Sequence, residues 1–356
     1  MQSDPLISVV VPTHQRVDML TGLLTTLRVL DYPHYEVIVV NDASSDGTAR
    51  YLEEAARQWP ALRLHHRSIQ GGPAAARNDG LKLARGEFVA FTDDDCRPEA
   101  DWLRRLLETL QASTERVGGV GGTIKPLAPP TWLGRYMQLA QRHQGHLQGK
   151  ESAYLDTANA LYHRAALKEV EGFDTAFFLP GAEDIDLSIR IKEAGWELHR
   201  APGAVVRHHE QPSLSRIFQQ SFRFGRGMGI LRHKYPHLFV GRPSRGIARL
   251  VKGLLACWKR RALKIESPTW RRRLLQWQIG AEETLRTGSR VARFLIRWPA
   301  TQRRFQGQGW IQAFCYTVLE CANLAVHCWG ECVGRITARH LPAKQSRMPP
   351  HSTGAE

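Results

Sequence analysis

Unbroken apolar runs alternate with stretches of helical spacing along the first hundred positions of the chain. Positions 6–12, LISVVVP, form a β-branched run closed by proline, the pattern of a strand buried on both faces. VDMLTGLLTTLRVL follows with leucines at helical spacing, and YEVIVV reads as a second strand that stops at NDASSDGT. Asp46 or Ser45 is placed to cap a helix that begins near Thr48 and continues through ARYLEEAARQW. ALRLHH is a third strand candidate, GGPAAARNDGLKLA a glycine-rich turn entering a helix, and EFVAF a fourth strand. The β-α-β-α-β-α-β order predicts an α/β fold, a doubly wound, mostly parallel sheet flanked by helices.

In such sheets ligands bind beyond the carboxyl ends of the strands. Pro12-Thr13-His14, Asn41-Asp42 and Asp93-Asp94-Asp95 each follow directly on a strand end, so all three groups face one crevice. No GxGxxG follows the first strand, and the turn that binds a dinucleotide pyrophosphate is therefore absent. Three adjacent carboxylates repel one another, more so near low-dielectric surroundings. A solvated turn is one reading of the triplet. A divalent metal held by oxygen ligands, which would also supply the counter-charge of a diphosphate, is the sharper one.

Composition divides the chain. Of its 356 residues, positions 1–230 carry 26 Lys+Arg against 28 Asp+Glu, whereas positions 231–356 carry 23 against 6. An ordinary globular unit is thus followed by a segment suited to an anionic surface. The six cysteines show no paired spacing of a secreted scaffold, which favours a reducing compartment. Cys315, Cys321, Cys328 and Cys332 cluster with His327, but without CxxC spacing they read as small apolar residues rather than zinc ligands. MQSDPLISVVVPTH has no basic stretch and too short an apolar run for a signal peptide.

ISVVVPTHQR, EVIVVNDASSDGT, GGPAAARNDGL and FVAFTDDDCRPEADWL stand in the order and spacing of the family 2 glycosyltransferases. The segment from TANALYHR to EDIDLSIRIKEAGWEL resembles the acceptor half of the same GT-A domain, and the resemblance covers positions 6–230. It implies a GT-A nucleotide-diphospho-sugar transferase fold and inverting transfer from a nucleoside-diphosphate sugar to a glycan, lipid-linked or other hydroxyl acceptor. Pro12, Thr13, Asp42 and Arg77 match donor-binding positions, and Asp93 and Asp94 join them. Asp93 and Asp95 match the DxD pair that ligates Mn2+ or Mg2+, with Asp94 as an unusual third acid between them. Asp184 matches the general base of the ED motif, with Glu183 in support; acids in a helix's first turn also simply suit the macrodipole. His208 or His209 corresponds to a histidine that reaches the metal in related enzymes, and only one of two adjacent residues on a strand can face it; His208 is favoured. Arg223 and Arg226 are candidate phosphate or acceptor clamps. The segment from Gln220 to Phe224 is similar to the QxxRW of processive members, but Phe replaces Trp, which argues against a processive polymerase.

Six of the ten tryptophans lie in the basic last third. Leu274, Trp277, Ala281, Leu285, Ala292, Leu295 and Trp298 fall on or near one helical face with arginines on the others, as an interfacial helix requires. WIQAFCYTVLECANLAVHCWGECVG is long enough to cross a bilayer, yet Glu320, Asn323, His327 and Glu331 make a polar stripe that lipid would penalise. The expected organisation is a catalytic domain over 1–230, a basic, mainly helical region over 231–345 that docks on a membrane or on the catalytic domain, and a disordered tail over 346–356. The expected location is cytoplasmic and peripheral, on the inner face of the cytoplasmic membrane, with an anionic lipid surface as partner and no nucleic acid. A nucleotidyltransferase on a similar sheet and a non-catalytic sugar-nucleotide or membrane-surface binding protein are the competing functions.

Overall fold

The computed structural model describes residues 4–113, 116–129, 131–141, 154–209 and 213–239, with 319, 326, 327, 333 and 336–338 beyond them. The surface helices proposed within 240–318, most of the candidate membrane span, the cysteines from Cys315 onward and the 346–356 tail therefore lie outside the described residues.

Eight strands form one sheet in the order β3-β2-β1-β4-β7-β6-β8-β5. Its first half follows the sequence pattern: β1 (Ile7–Thr13), β2 (Tyr35–Asn41), β3 (Leu62–His66) and β4 (Phe88–Phe91) pair in parallel. They are connected through α1 (Val17–Leu27), α2 (Thr48–Arg57) and α3 (Gly72–Leu83). Both faces of these strands are covered. Val9, Val11, Val37 and Val39 pack on one side, while Val10, Ile38, Val40 and Phe91 pack on the other. Continuous apolar runs are the only pattern that fills both faces at once.

Beyond β4 the sheet becomes mixed. β5 (Cys96–Pro98) and β7 (Ala160–His163) pair antiparallel with β8 (Glu197–His208) and β4 respectively, and β6 (Val117–Pro126) lies antiparallel to β7 and parallel to β8. α4 (Trp102–Gln111) packs below this half, with the Trp102 indole donating to Asn159 Oδ1 at 2.8 Å. α5 (Trp132–Gln141), α6 (Arg164–Glu169) and α7 (Glu183–Glu193) follow, the last entering from the loop before the site.

α8 (Leu214–Lys234) runs straight through position 230, where the sequence analysis placed a domain boundary, and a 3-10 turn at Pro236–Phe239 follows it. Its far end is latched onto α7. Lys234 Nζ donates to Asp186 Oδ1 at 2.6 Å and to Asp174 Oδ2 at 2.7 Å, and the Tyr235 hydroxyl donates to Asp186 Oδ1 at 2.9 Å. Asp186 is wholly buried, so these donors, with Arg190 Nε at 2.8 Å, are what makes its charge tolerable there. Ala338 joins the same small core with Phe177, Ile230 and Leu231, and the His327 ring lies 5.8 Å from that of Phe224. Some of the last third thus rests on α8. Among the described residues, no helix is long and apolar enough to cross a membrane.

Candidate active site

The parallel strands end where the polar residues begin. Thr13 closes β1, Asn41 closes β2 beside it, and Thr92 to Asp95 leave β4. The loop after β1 continues through Gln15, which sits at a left-handed φ of 55°, to Arg16 at the head of α1. That turn throws the Arg16 guanidinium across the crevice, where Nη1 reaches Asp94 Oδ1 at 2.8 Å and Nη2 reaches Asp95 Oδ2 at 2.6 Å. Arg16 belongs to the quoted PTHQR motif but received no role from sequence reasoning. Only the fold shows that it meets residues 78 and 79 positions away.

The three aspartates diverge. Asp93 goes to Arg77 Nη2 at 2.8 Å. Asp94 is buried, shares Arg16, and accepts the Thr13 hydroxyl at 2.8 Å. Desolvation, with Asp95 and Asp93 adding repulsion, outweighs Arg16 and Thr13 and pushes the Asp94 carboxyl up to about 7. Asp95 goes to Arg16 and, through Oδ1, to His208 Nε2 at 3.3 Å. Burial would raise Asp95, but the hydrogen bond and charge of His208, and then Arg16, hold it well below the usual carboxylate range. Burial would likewise lower His208, and Asp95 instead raises it to about 9. The repulsion within the triplet is thus countered by three cations, with Arg77 on Asp93, Arg16 shared by Asp94 and Asp95, and His208 on Asp95.

His208 reaches Asp95 because β8 pairs antiparallel with β5, setting His208 opposite Cys96. The backbone N–H of His209 donates to the Asp95 carbonyl at 2.8 Å, which clips the two segments together.

Arg77, matched above to a donor-binding position, is 3% exposed. Its Nη2 holds Asp93 and its Nη1 donates to Glu183 Oε1 at 3.0 Å, so it bridges the β4 loop to the head of α7. Glu183 also accepts the Gly181 N–H at 2.6 Å. Asp42 is similarly committed. Its two oxygens accept the Gly71 and Gly72 N–H groups at 2.8 Å each, and Arg67 Nε lies 2.9 Å away. Asp42 does not cap α2; Asp46 Oδ1 accepts the Thr48 N–H at 3.0 Å instead. Gly72 has a φ of +80° and lies so close to the Phe178 carbonyl that any side chain would collide with it, which explains the GGP turn.

Asp184 stands half-buried in the first turn of α7, just after Ala182, whose left-handed φ of 72° is strained for a non-glycine residue. Helix N-termini normally favour an ionised acid. Here desolvation, then Glu183, then Asp156 push the Asp184 carboxyl well above its ordinary value. The α8 backbone at Arg223 and Phe224 packs against Gly181, and a side chain at Gly227 would run into the Gly181 carbonyl. α8 therefore buttresses the turn that aims Asp184. Arg223 is exposed on it, and Arg226 is partly buried, which lowers its guanidinium.

Among the described residues no three acidic, histidine or cysteine side chains are grouped to form an all-protein metal cage. The Asp95–His208 pair nevertheless fits a divalent ion of another kind. One hard oxygen and one imidazole 3.3 Å apart are spaced as neighbouring ligands, and an ion shared with a substrate diphosphate needs only one or two protein ligands.

Residues 8–171 match the glycosyl transferase family 2 model. The match holds the β4 loop and Arg77 but stops short of Glu183, Asp184, His208, Arg223 and Arg226. The pre-mycofactocin glycosyltransferase of Mycobacterium tuberculosis is 29% identical over 235 residues, 65% of this chain and 48% of the relative. The glycosyltransferase AglE of Haloferax volcanii is 27% identical over 227 residues, covering 63% of this chain and 73% of the relative. This chain thus spans about half the length of the first of these relatives. Among solved structures, the mannosyltransferase PcManGT from Pyrobaculum calidifontis, in complex with GDP-Man and Mn2+, shares the fold. It superposes with a TM-score of 0.56 at 19% identity, over 94% of this chain and 88% of that one. The likeness to glycosyl transferase family 2 thus rests on residues 8–171, with glycosyltransferases among the relatives that match over a wider stretch.

Proposed function

We propose that the protein transfers a sugar from a nucleoside-diphosphate sugar to a hydroxyl acceptor by one in-line displacement, inverting the anomeric carbon. The observation that carries this reading is the Asp93–Arg77–Glu183 bridge, which fixes the β4 loop and the head of α7 on opposite sides of one crevice. A group that holds the leaving diphosphate and a group that activates an acceptor must be separated in this way for in-line attack.

Asp184 is the base in this reading. A free aspartate is a weak base for an alcohol, and the desolvation that raises Asp184 brings it closer to that task. Glu183 holds Arg77 and so keeps Asp184 in place. Mn2+ or Mg2+ would be held by Asp95 and His208, and when bound it would stabilise the negative charge that develops on the departing diphosphate. Asp93 remains with Arg77 as part of the bridge, and Arg16 provides fixed positive charge above Asp94 and Asp95. Pro12, Thr13 and Asp42 line the end of the crevice that would take the nucleoside. Asp42 acts there chiefly by fixing the Gly71–Gly72 turn. Arg223 and Arg226 would meet the acceptor side. The GDP-Man and Mn2+ in the Pyrobaculum complex support this assignment by likeness of fold.

The basic last third, with 23 Lys+Arg against 6 Asp+Glu, is in this reading the part that meets anionic lipid, which would place the enzyme at a membrane face close to a lipid-linked or glycan acceptor. The test of the function is release of a nucleoside diphosphate from a panel of donors with Mn2+ and a hydroxyl acceptor. Release of pyrophosphate would favour a nucleotidyltransferase instead, and donor binding without any release would favour a binding protein.

A further inference from the structure

The segment before β7 contains a carboxylate that the sequence analysis passed over. Leu155, Thr157, Ala158 and Asn159 are buried, while Asp156 between them is exposed. Two hydrogen bonds fix where it stands. On one side the Leu155 N–H donates to Ser188 Oγ at 3.1 Å, one turn along α7 from Asp184. On the other the Thr92 hydroxyl donates to the Ala158 carbonyl at 3.0 Å, and Thr92 directly precedes Asp93. Asp156 is thus sewn between the β4 loop and the base-bearing helix. The charges that act on it are those of Asp93, His208 and Arg77, and its own charge acts on Asp184. It is water-accessible yet walled in, as a group in the floor of a crevice is.

Among the described residues only the Ala158 N–H, at 3.0 Å to Oδ1, donates to this carboxylate. Among the described residues nothing donates to its second oxygen. Nearby, the Tyr162 hydroxyl is buried beside Ser188, and Asp184 and Asp156 both act on it. The stretch between the diphosphate-holding end and the base is where the transferred sugar must lie, if the transfer reading above is right.

We propose that Asp156 accepts a hydroxyl of the transferred sugar and so selects an uncharged, hydroxyl-bearing sugar. A carboxylate accepts strongly from a sugar hydroxyl, since hydrogen bonds to charged groups exceed neutral ones. The same carboxylate, with Asp93 and Asp184 around it, opposes a uronic acid or any other anionic sugar. The two cations nearby do not reverse this. Arg77 is spent on Asp93 and Glu183, and His208 on Asp95.

The test uses the full-length protein with Mn2+, as wild type, Asp156→Ala and Asp156→Asn. Calorimetric affinity is measured for nucleoside diphosphates and for their neutral and uronic-acid sugar conjugates. The expected result is diphosphate affinity unchanged within about twofold and neutral-conjugate affinity lowered on the order of 10- to 100-fold by Asp156→Ala. Asp156→Asn should recover part of that loss and improve binding of the uronic-acid conjugate. An equal fall for diphosphate and conjugate would mark a purely structural role, and either that, no fall at all, or a wild-type preference for the anionic sugar would overturn the proposal. A wild type that binds the conjugate through Asp156 but releases no nucleotide would keep the proposal and remove the transfer reading. A wild type that binds no conjugate would remove both.

Discussion

Arg77 and Glu183 are 106 residues apart in the chain and meet at 3.0 Å beneath the crevice, where the same guanidinium also holds Asp93. A cation in this position has two effects. It cancels repulsion that would otherwise push the β4 loop away from α7, and it sets the spacing between the two halves of the site.

Removing it should therefore cost both stability and geometry. Deleting one partner of a buried ion network leaves uncompensated charge, at about 3–5 kcal/mol. Arg77→Met should lower urea stability by about that amount. A loss below about 1 kcal/mol would show that the bridge is not what joins the two halves.

The Asp184 account predicts a defined pH response. Its carboxyl is raised in the folded state, so the protonated form is the one that folding favours. It contributes stability below the unfolded carboxylate value, and that contribution is lost as pH rises through the folded one. Turnover should run the other way, low while Asp184 is protonated and rising as it ionises. Asp184→Asn should cut turnover on the order of 100-fold or more, with diphosphate affinity little changed. A variant with near-normal turnover, or one that loses donor binding, would move the base elsewhere.

The metal assignment separates residues that the sequence placed together. Asp95→Asn should abolish Mn2+-dependent binding of a nucleoside diphosphate, His208→Ala should weaken it, and chelation should reproduce the Asp95 result. Asp93→Asn should act mainly on stability, because Asp93 is held by Arg77. Calorimetry and thermal melts on the three variants distinguish these outcomes. Equal loss of metal-dependent binding in Asp93→Asn and Asp95→Asn would return Asp93 to the ligand set.

Much of the fold was legible because its first half is built from local signals. LISVVVP, YEVIVV and EFVAF could fill both faces of a sheet only as buried parallel strands, and β1, β2 and β4 are those segments. The antiparallel half was less legible, since β5 has three residues and β6 contains GGVGG, where periodicity carries almost no information. The acidic groups of the site were found from their place at strand ends. Their pairing with cations was not. Arg16 stands at the head of α1 and Arg77 in the second turn of α3, where arginine is ordinary, and only the fold shows which acids they meet. Asp156 had no motif to mark it. The position 230 boundary rested on the end of the resemblance and a change of charge, while α8 continues to Lys234, whose Nζ donates to Asp186.

That last point alters the test of the basic third. Cutting after Ile230 would sever α8 and expose Asp186, so the intact chain is the correct sample. It should bind anionic vesicles in preference to neutral ones, and less so as salt rises, because basic residues near such a surface each contribute roughly 1 kcal/mol of screenable attraction. Equal binding to both vesicle types, or none, would contradict the charge argument.

The most direct test of sugar transfer in this crevice is nucleotide release. Wild type, Asp95→Asn and Asp184→Asn are incubated with a panel of nucleoside-diphosphate sugars, Mn2+ and hydroxyl acceptors, and the released nucleoside diphosphate is quantified. The account predicts acceptor-dependent release by wild type with at least one donor, none by Asp95→Asn, and a residue on the order of a hundredth by Asp184→Asn. Release of pyrophosphate, or nucleoside diphosphate release that is equal in all three proteins, would contradict it.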